Sequence, residues 1–182
     1  SHIPTHPVLL NVDGGNDIEI AFGATNVMLV YKFTGNALQE MWRVGVSDQT
    51  GASGPIGFDF EDDGMQSVVY NDEGHVYVYD DRGNVIYDAS RASVTLAETT
   101  AVADINNDGH ANLVIGSNEP FIGLADGLDM LSNAGTSWPH ARSIWNQHPY
   151  VEGLVGELGT LLFHPGGMPP LRGFRTATAQ CR

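Results

Sequence analysis

Basic residues are scarce in this chain: 8 Lys and Arg stand against 22 Asp and Glu, a formal net charge of -14 with the 7 His neutral. A surface of that sign repels phosphate backbones and anionic lipid, which excludes nucleic acid and peripheral membrane attachment as expected partners. The imbalance is a shortage of bases rather than an acidic tail, because charged residues make up only 16% of the 182 and hydrophobic ones 42%. Lys32 is the single lysine, and the arginines are scattered. Such a composition supports a buried core and argues against disorder. Cysteine is nearly absent too. Cys181 stands alone one residue from the end, so an internal disulfide and a thiolate metal site are excluded, and only a bond to another chain is left. No apolar run approaches the roughly 20 residues that cross a bilayer as a helix. The opening Ser-His-Ile-Pro-Thr-His-Pro lacks the basic and apolar regions of a signal peptide, and the chain is expected to be a processed or excised piece.

Catalytic signatures are also missing. There is no Gly-x-Ser-x-Gly elbow, no phosphate-binding Gly-x-x-x-x-Gly-Lys loop and no His-Glu-x-x-His. Carboxylate pairs occur in acidic loops, but their spacing recurs in two loops, whereas a catalytic pair need occur only once. No enzyme is expected.

What is present is glycine (22), proline (9) and short apolar runs, the pattern of many short strands joined by turns. The runs repeat. Residues 59–70 align with 104–115: acid, x, acid or amide, x, Asp-Gly, two spacers, a small oxygen side chain, then an apolar strand. A weaker copy at 11–20 is aligned through Asp13-Gly14, which places apolar Leu9 at its first position. A second feature recurs in phase: Val27–Leu38 and Val76–Ile86 each read as a strand, a Gly-Asn turn and another strand. A multi-stranded unit of 45 to 50 residues has the size of a propeller blade.

Oxygen side chains at positions 1, 3 and 5, glycine at 6, a carbonyl at 7 and an oxygen at 9 form the shell that hard Ca²⁺ prefers. On that reading Asp104, Asn106, Asp108, the carbonyl of His110 and Asn112 make one site. Asp59, Glu61, Asp63, the carbonyl of Met65 and Ser67 make a second, and Asn11, Asp13 and Asp17 a third set. The competing explanation is that Asp, Asn and Gly are favoured in turns for their own sake. An EF-hand is excluded, because position 12 is Tyr70 or Ile115 inside a strand pattern rather than a bidentate Glu between helices.

Asp104-x-Asn106-x-Asp108-Gly109-x-x-Asn112-Leu113-x-Ile115-Gly116 resembles the calcium loop of FG-GAP or VCBS repeats, the blades of integrin-alpha-type propellers in secreted bacterial proteins. The resemblance covers roughly residues 8 to 118. It implies an all-β fold of propeller blades within 1–118, with loops at 11–17, 59–67 and 104–112. It also implies two calcium ions with room for a third, and an extracellular binding or adhesion module. Its partners would be a protein or glycan ligand at a surface, or further copies of itself. The chain departs from the family at Ser67 and Asn112, where Asp is usual, and at Glu61. Three units fall short of a closed ring, so a partial or open propeller within a larger chain or assembly is expected. Two other readings are a structural subunit that assembles through sheet edges and an accessory domain of a secreted enzyme.

Residues 119–182 break the period and read as an irregular cap or final blade. Arg142-Ser-Ile-Trp-Asn-Gln-His148-Pro-Tyr150 and Phe174-Arg175 resemble a segment near the ends of secreted FG-GAP proteins. Trp138, Trp145, Tyr150 and Phe163 are expected to cover an open sheet end, with Arg142, Arg172 and Arg175 pairing with the acidic body. His140, His148 and His164 match no short metal motif. Tyr31, Phe33, Tyr77 and Tyr79 alternate along strands, which favours core packing over a sugar platform.

Overall fold

A computed structural model describes residues 5–94, 98–118, 127–133, 137–145, 150–162 and 175–177. The fold there is all-β, and the strands form three sheets, none of them closed. The first holds β1 (Val8–Leu10), β2 (Glu19–Ala24), β3 (Val27–Thr34) and β4 (Ala37–Gly45) in chain order. The second holds β5 (Ile56–Phe58), β6 (Ser67–Asn71), β7 (His75–Tyr79) and β8 (Val85–Ser90). The third holds β9 (Ala101–Ala103), β10 (Asn112–Ser117) and β11 (Gly127–Leu131). In all three these consecutive strands form antiparallel meanders. The repeated Gly-Asn pairs fall at the β3–β4 and β7–β8 turns, where Gly35 and Gly83 take φ of 71° and 81°, a region β-branched residues avoid.

Strand alternation explains the packing. Val68 and Tyr70 of β6 join Val8, Leu10, Ala21, Met28 and Val30 of the first sheet in one core cluster. Val69, on the opposite face, joins Ile56, Val76 and Val78 with Val102, Leu113 and Ile115 of the third sheet in another. Strands β5 and β6 of the second sheet are therefore buried on both faces, which is why Ser67–Asn71 is buried throughout rather than in alternation. The aromatic series divides: Tyr79 is buried and Tyr77 packs beside it, Tyr31 stacks on Phe22 at 5.7 Å, and Phe33 is half exposed.

Trp138, Tyr150 and Val155 lie in the same cluster as the second and third sheets, and Trp145 stacks on Tyr150 at 4.8 Å. A short strand β12 (Thr176–Ala177) runs parallel to β5. Two of the three tail arginines, Arg142 and Arg175, differ from expectation. Arg142 pairs with Glu157 at 2.7 Å and donates to Tyr150 Oη and the carbonyls of Glu152 and Val155, stitching the tail to itself rather than to the acidic repeats. Arg175 is buried and, among the described residues, donates to the carbonyls of His6 and Gly54 rather than to carboxylates. Loss of hydration is the reason its guanidinium is depressed to about 10. Phe163, Arg172, Phe174, His148, His164 and Cys181 lie outside the described residues.

Candidate functional site: three equivalent loops

The three acidic segments occupy one structural position. Each joins the first and second strands of its sheet, spanning 11–18, 59–66 and 104–111, eight residues apiece. The ladders fix their phase, because Leu10 faces Glu19, Phe58 faces Ser67 and Ala103 faces Asn112. Position 1 is thus Asn11, Asp59 or Asp104, and position 9 is Glu19, Ser67 or Asn112. Two further observations agree. The residue at position 4 has positive φ in every loop: 71° at Gly14, 55° at Asp62 and 59° at Asn107. The position 9 side chain accepts the position 2 N–H in two of them, Glu19 Oε2 from Val12 at 2.8 Å and Asn112 Oδ1 from Ile105 at 2.9 Å.

This phasing corrects the first loop. Aligning Asp13-Gly14 with the later Asp-Gly pairs puts the frame two residues out, because Gly14 serves the left-handed turn at position 4 while Gly64 and Gly109 serve one at position 6. Leu9 is a strand residue and Asn11 leads the loop. The same shift brings in Glu19, which motif matching missed. The signal that finds it is the constant distance from one strand end to the next.

The second and third loops share one hydrogen-bond scheme. Asp59 Oδ1 and Oδ2 accept the N–H groups of Asp63 and Gly64 at 3.1 and 2.9 Å. Asp104 accepts those of Asp108 and Gly109 at 3.1 and 3.0 Å. Asp63 Oδ1 then accepts from Met65 at 2.9 Å, as Asp108 Oδ1 does from His110 at 2.8 Å. In the third loop Asn106 Nδ2 also donates to Asp108 Oδ2 at 2.9 Å. The His110 N–H and this amide hold the Asp108 carboxyl below its ordinary range. In the second loop burial pushes Glu61 up, and the negative charges of Asp63, Asp80, Asp81 and Asp59 push the same way. Asp59 is raised chiefly by burial, against the N–H groups it accepts. Ser67 and Asn112 are buried at the base of their loops.

The tail braces the third loop. Backbone bonds run from Asp104 N to the Arg142 carbonyl (3.0 Å) and from Ala111 N to the Pro139 carbonyl (2.9 Å). His110 and His140 stack at 4.7 Å, and their Nδ1 atoms donate to the carbonyls of Trp138 and Gly109 at 2.6 and 2.5 Å. His140 therefore partners His110, a residue of the repeat. Among the described residues no three His, Cys, Asp or Glu side chains converge as a metal-ligand set.

The first loop is arranged differently. Asn11 Oδ1 accepts from Gly14 N and its Nδ2 donates to the Gly15 carbonyl, both at 2.8 Å. Lys32 Nζ reaches from β3 to Asp13 Oδ2 at 2.6 Å and lies 3.9 Å from Glu19 Oε1. Lys32 is the leading cause that holds the Asp13 carboxyl low. Asn11 and Gln66 exchange two bonds, at 2.9 and 2.8 Å, tying this loop to the second.

No family model matches this chain, and no curated protein matches it. A solved structure does. The V. cholerae biofilm matrix protein Bap1 superposes with a TM-score of 0.75 at 25% sequence identity, over 90% of this chain and 28% of that one. The chain thus spans less than a third of that protein's length. No helix among the described residues is long and apolar enough to cross a membrane.

Proposed function

We propose that this chain is an extracellular adhesion or matrix-binding module, built from calcium-stabilised blades of the FG-GAP or VCBS kind and belonging to a larger chain or assembly. The observation that carries the reading is the similarity of nine-tenths of the chain to part of a biofilm matrix protein. The regular stacking supports it, since three meanders with one loop in one place make a repeat whose faces are buried by neighbours. Phe22 and Tyr31 on the outer side of the first sheet are only half-buried, and a further sheet would cover them. Exposed Leu128 and Met130 on edge strand β11 give a surface for another copy or a matrix component.

The second and third loops supply only oxygen donors, the chemistry of a hard divalent cation. Asp59, Glu61, Asp63, the Met65 carbonyl and Ser67 would hold one ion, and Asp104, Asn106, Asp108, the His110 carbonyl and Asn112 the other. The crowded charge around Glu61 is what such an ion would neutralise. Bound calcium would tie the first two strands of a sheet together. A melting curve in excess calcium is therefore expected to lie about 5 °C above one in chelator, by mass action on the folded state. Asp108→Ala is expected to weaken calcium binding about tenfold, and Asp13→Ala to leave it near the native value. Coincident melting curves would remove the metal from the proposal. For the binding role, retention on a glycan or matrix-protein array is the readout, and failure to bind any surface or to self-associate in sedimentation would sink it.

A further inference from the structure

We propose that Lys32 is the resident cation of the first loop, taking the charge-neutralising place that a divalent ion would hold in the other two, and that it keeps metal out of that loop. The inference rests on the calcium reading only for the comparison with its neighbours. The geometry is its own. Glu19 at position 9 is fully buried, and its Oε1 has no hydrogen-bond partner although Oε2 is satisfied by Val12 N–H. A buried carboxylate oxygen left in that state either takes up a proton or is offset by a positive charge nearby. Lys32 is the charge that faces it, at 3.9 Å, while donating to Asp13 Oδ2 at 2.6 Å. Gly15 leaves room for the carboxylate that Lys32 holds, since a Cβ there would come within 2.8 Å of Asp13 Oδ1.

The ladders show how particular this placement is. Lys32 faces Glu19 across β2 and β3, and the preceding Tyr31 faces Ile20. In the second sheet Tyr79 faces Val68 in the equivalent pair, and the residue after it is Asp80. In the third Leu131 faces Leu113, and Ser132 follows. One position thus carries a cation in the first sheet, an anion in the second and a neutral hydroxyl in the third. The single lysine of the chain stands at the position where a fixed charge replaces an exchangeable one. The first loop then stays neutralised at any calcium concentration, so the first sheet keeps its geometry when the others lose their ions.

Calcium titration calorimetry on the native chain, Lys32→Met and Lys32→Arg tests this. Lys32→Met is expected to bind one calcium more than the native chain and Lys32→Arg the same number. No gained site in Lys32→Met, or three sites in the native chain, would overturn the proposal. The native count judges the other loops separately: two sites support their calcium reading and none removes it, while the one-site difference still decides the role of Lys32. Should Lys32→Met fail to fold, reductive methylation of the native chain gives the answer. Lys32, mapped by peptide mass, is expected to react slowly and equally in calcium and chelator. Reaction at the rate of the unfolded chain would overturn the assignment.

Discussion

Gly23→Ala is expected to lower the melting temperature by about 10 °C, a loss of about 4 kcal/mol. A Cβ at Gly23 would lie 2.2 Å from Tyr70 Oη and under 3 Å from two ring carbons. The ring cannot retreat, because Tyr70 is fully buried between the first two sheets and its hydroxyl donates to Asp48 Oδ2 at 2.6 Å. Nor can β2 move away easily, since Gly23 is bonded in both directions to Thr5, N–H to Oγ1 at 2.8 Å and carbonyl to N–H at 2.9 Å. Overpacking and the broken charge-assisted bond act together. Gly45→Ala is the control, because nothing lies within 4 Å of its added methyl, and a change within about 0.5 kcal/mol is expected. Combining Gly23→Ala with Tyr70→Phe should show non-additivity of about 1 kcal/mol or more. Additive behaviour would mean that β2 and β6 do not meet at this point.

Most of the strand content is legible in the sequence because its cause is local. Val76 to Tyr79 alternates between two cores, and Gly35 and Gly83 mark the turns that their conformations require. The equivalence of the acidic loops at 59 and 104 is legible for the same reason, since Asp-Gly falls at the same distance from an apolar strand in both. The first loop defeats motif matching because a left-handed turn at position 4 and one at position 6 both recruit Asp-Gly, and only the strand register tells them apart. Glu19 and Lys32 escape notice for a related reason: they are 13 residues apart in sequence and become neighbours only when β2 pairs with β3. The arginines of the tail look like partners for the acidic repeats by charge alone. Burial decides otherwise for Arg142 and Arg175, whose guanidiniums donate to backbone carbonyls where the chain folds back on itself.

The same logic of non-local bonding makes Asp72 the second position with a large expected effect. Asp72 is fully buried, directly after β6, and its carboxylate accepts three backbone N–H groups. Two belong to its own hairpin, Gly74 at 2.9 Å and His75 at 2.8 Å, and the third is Ser47 at 2.7 Å, in the segment that leaves the first sheet. One side chain therefore shapes the β6–β7 turn and ties the link between two sheets to it. Asp72→Ala leaves those three donors without this acceptor and is expected to cost about 4 kcal/mol, with amide exchange accelerated at Ser47, Gly74 and His75. Asp72→Asn keeps one acceptor oxygen and replaces the other with a donor that faces an N–H, so about half that loss is expected. The order of the two variants separates a hydrogen-bonding role from a packing one. Equal losses would point to packing, and a loss under about 1 kcal/mol for Asp72→Ala would mean that water serves these amides. The acid-rich composition thus serves the fold itself: Asp72 and Asp48, like Asp59 and Asp104 in the loops, accept the chain's own N–H and O–H groups, while at Glu61 the neighbouring carboxylates crowd one another.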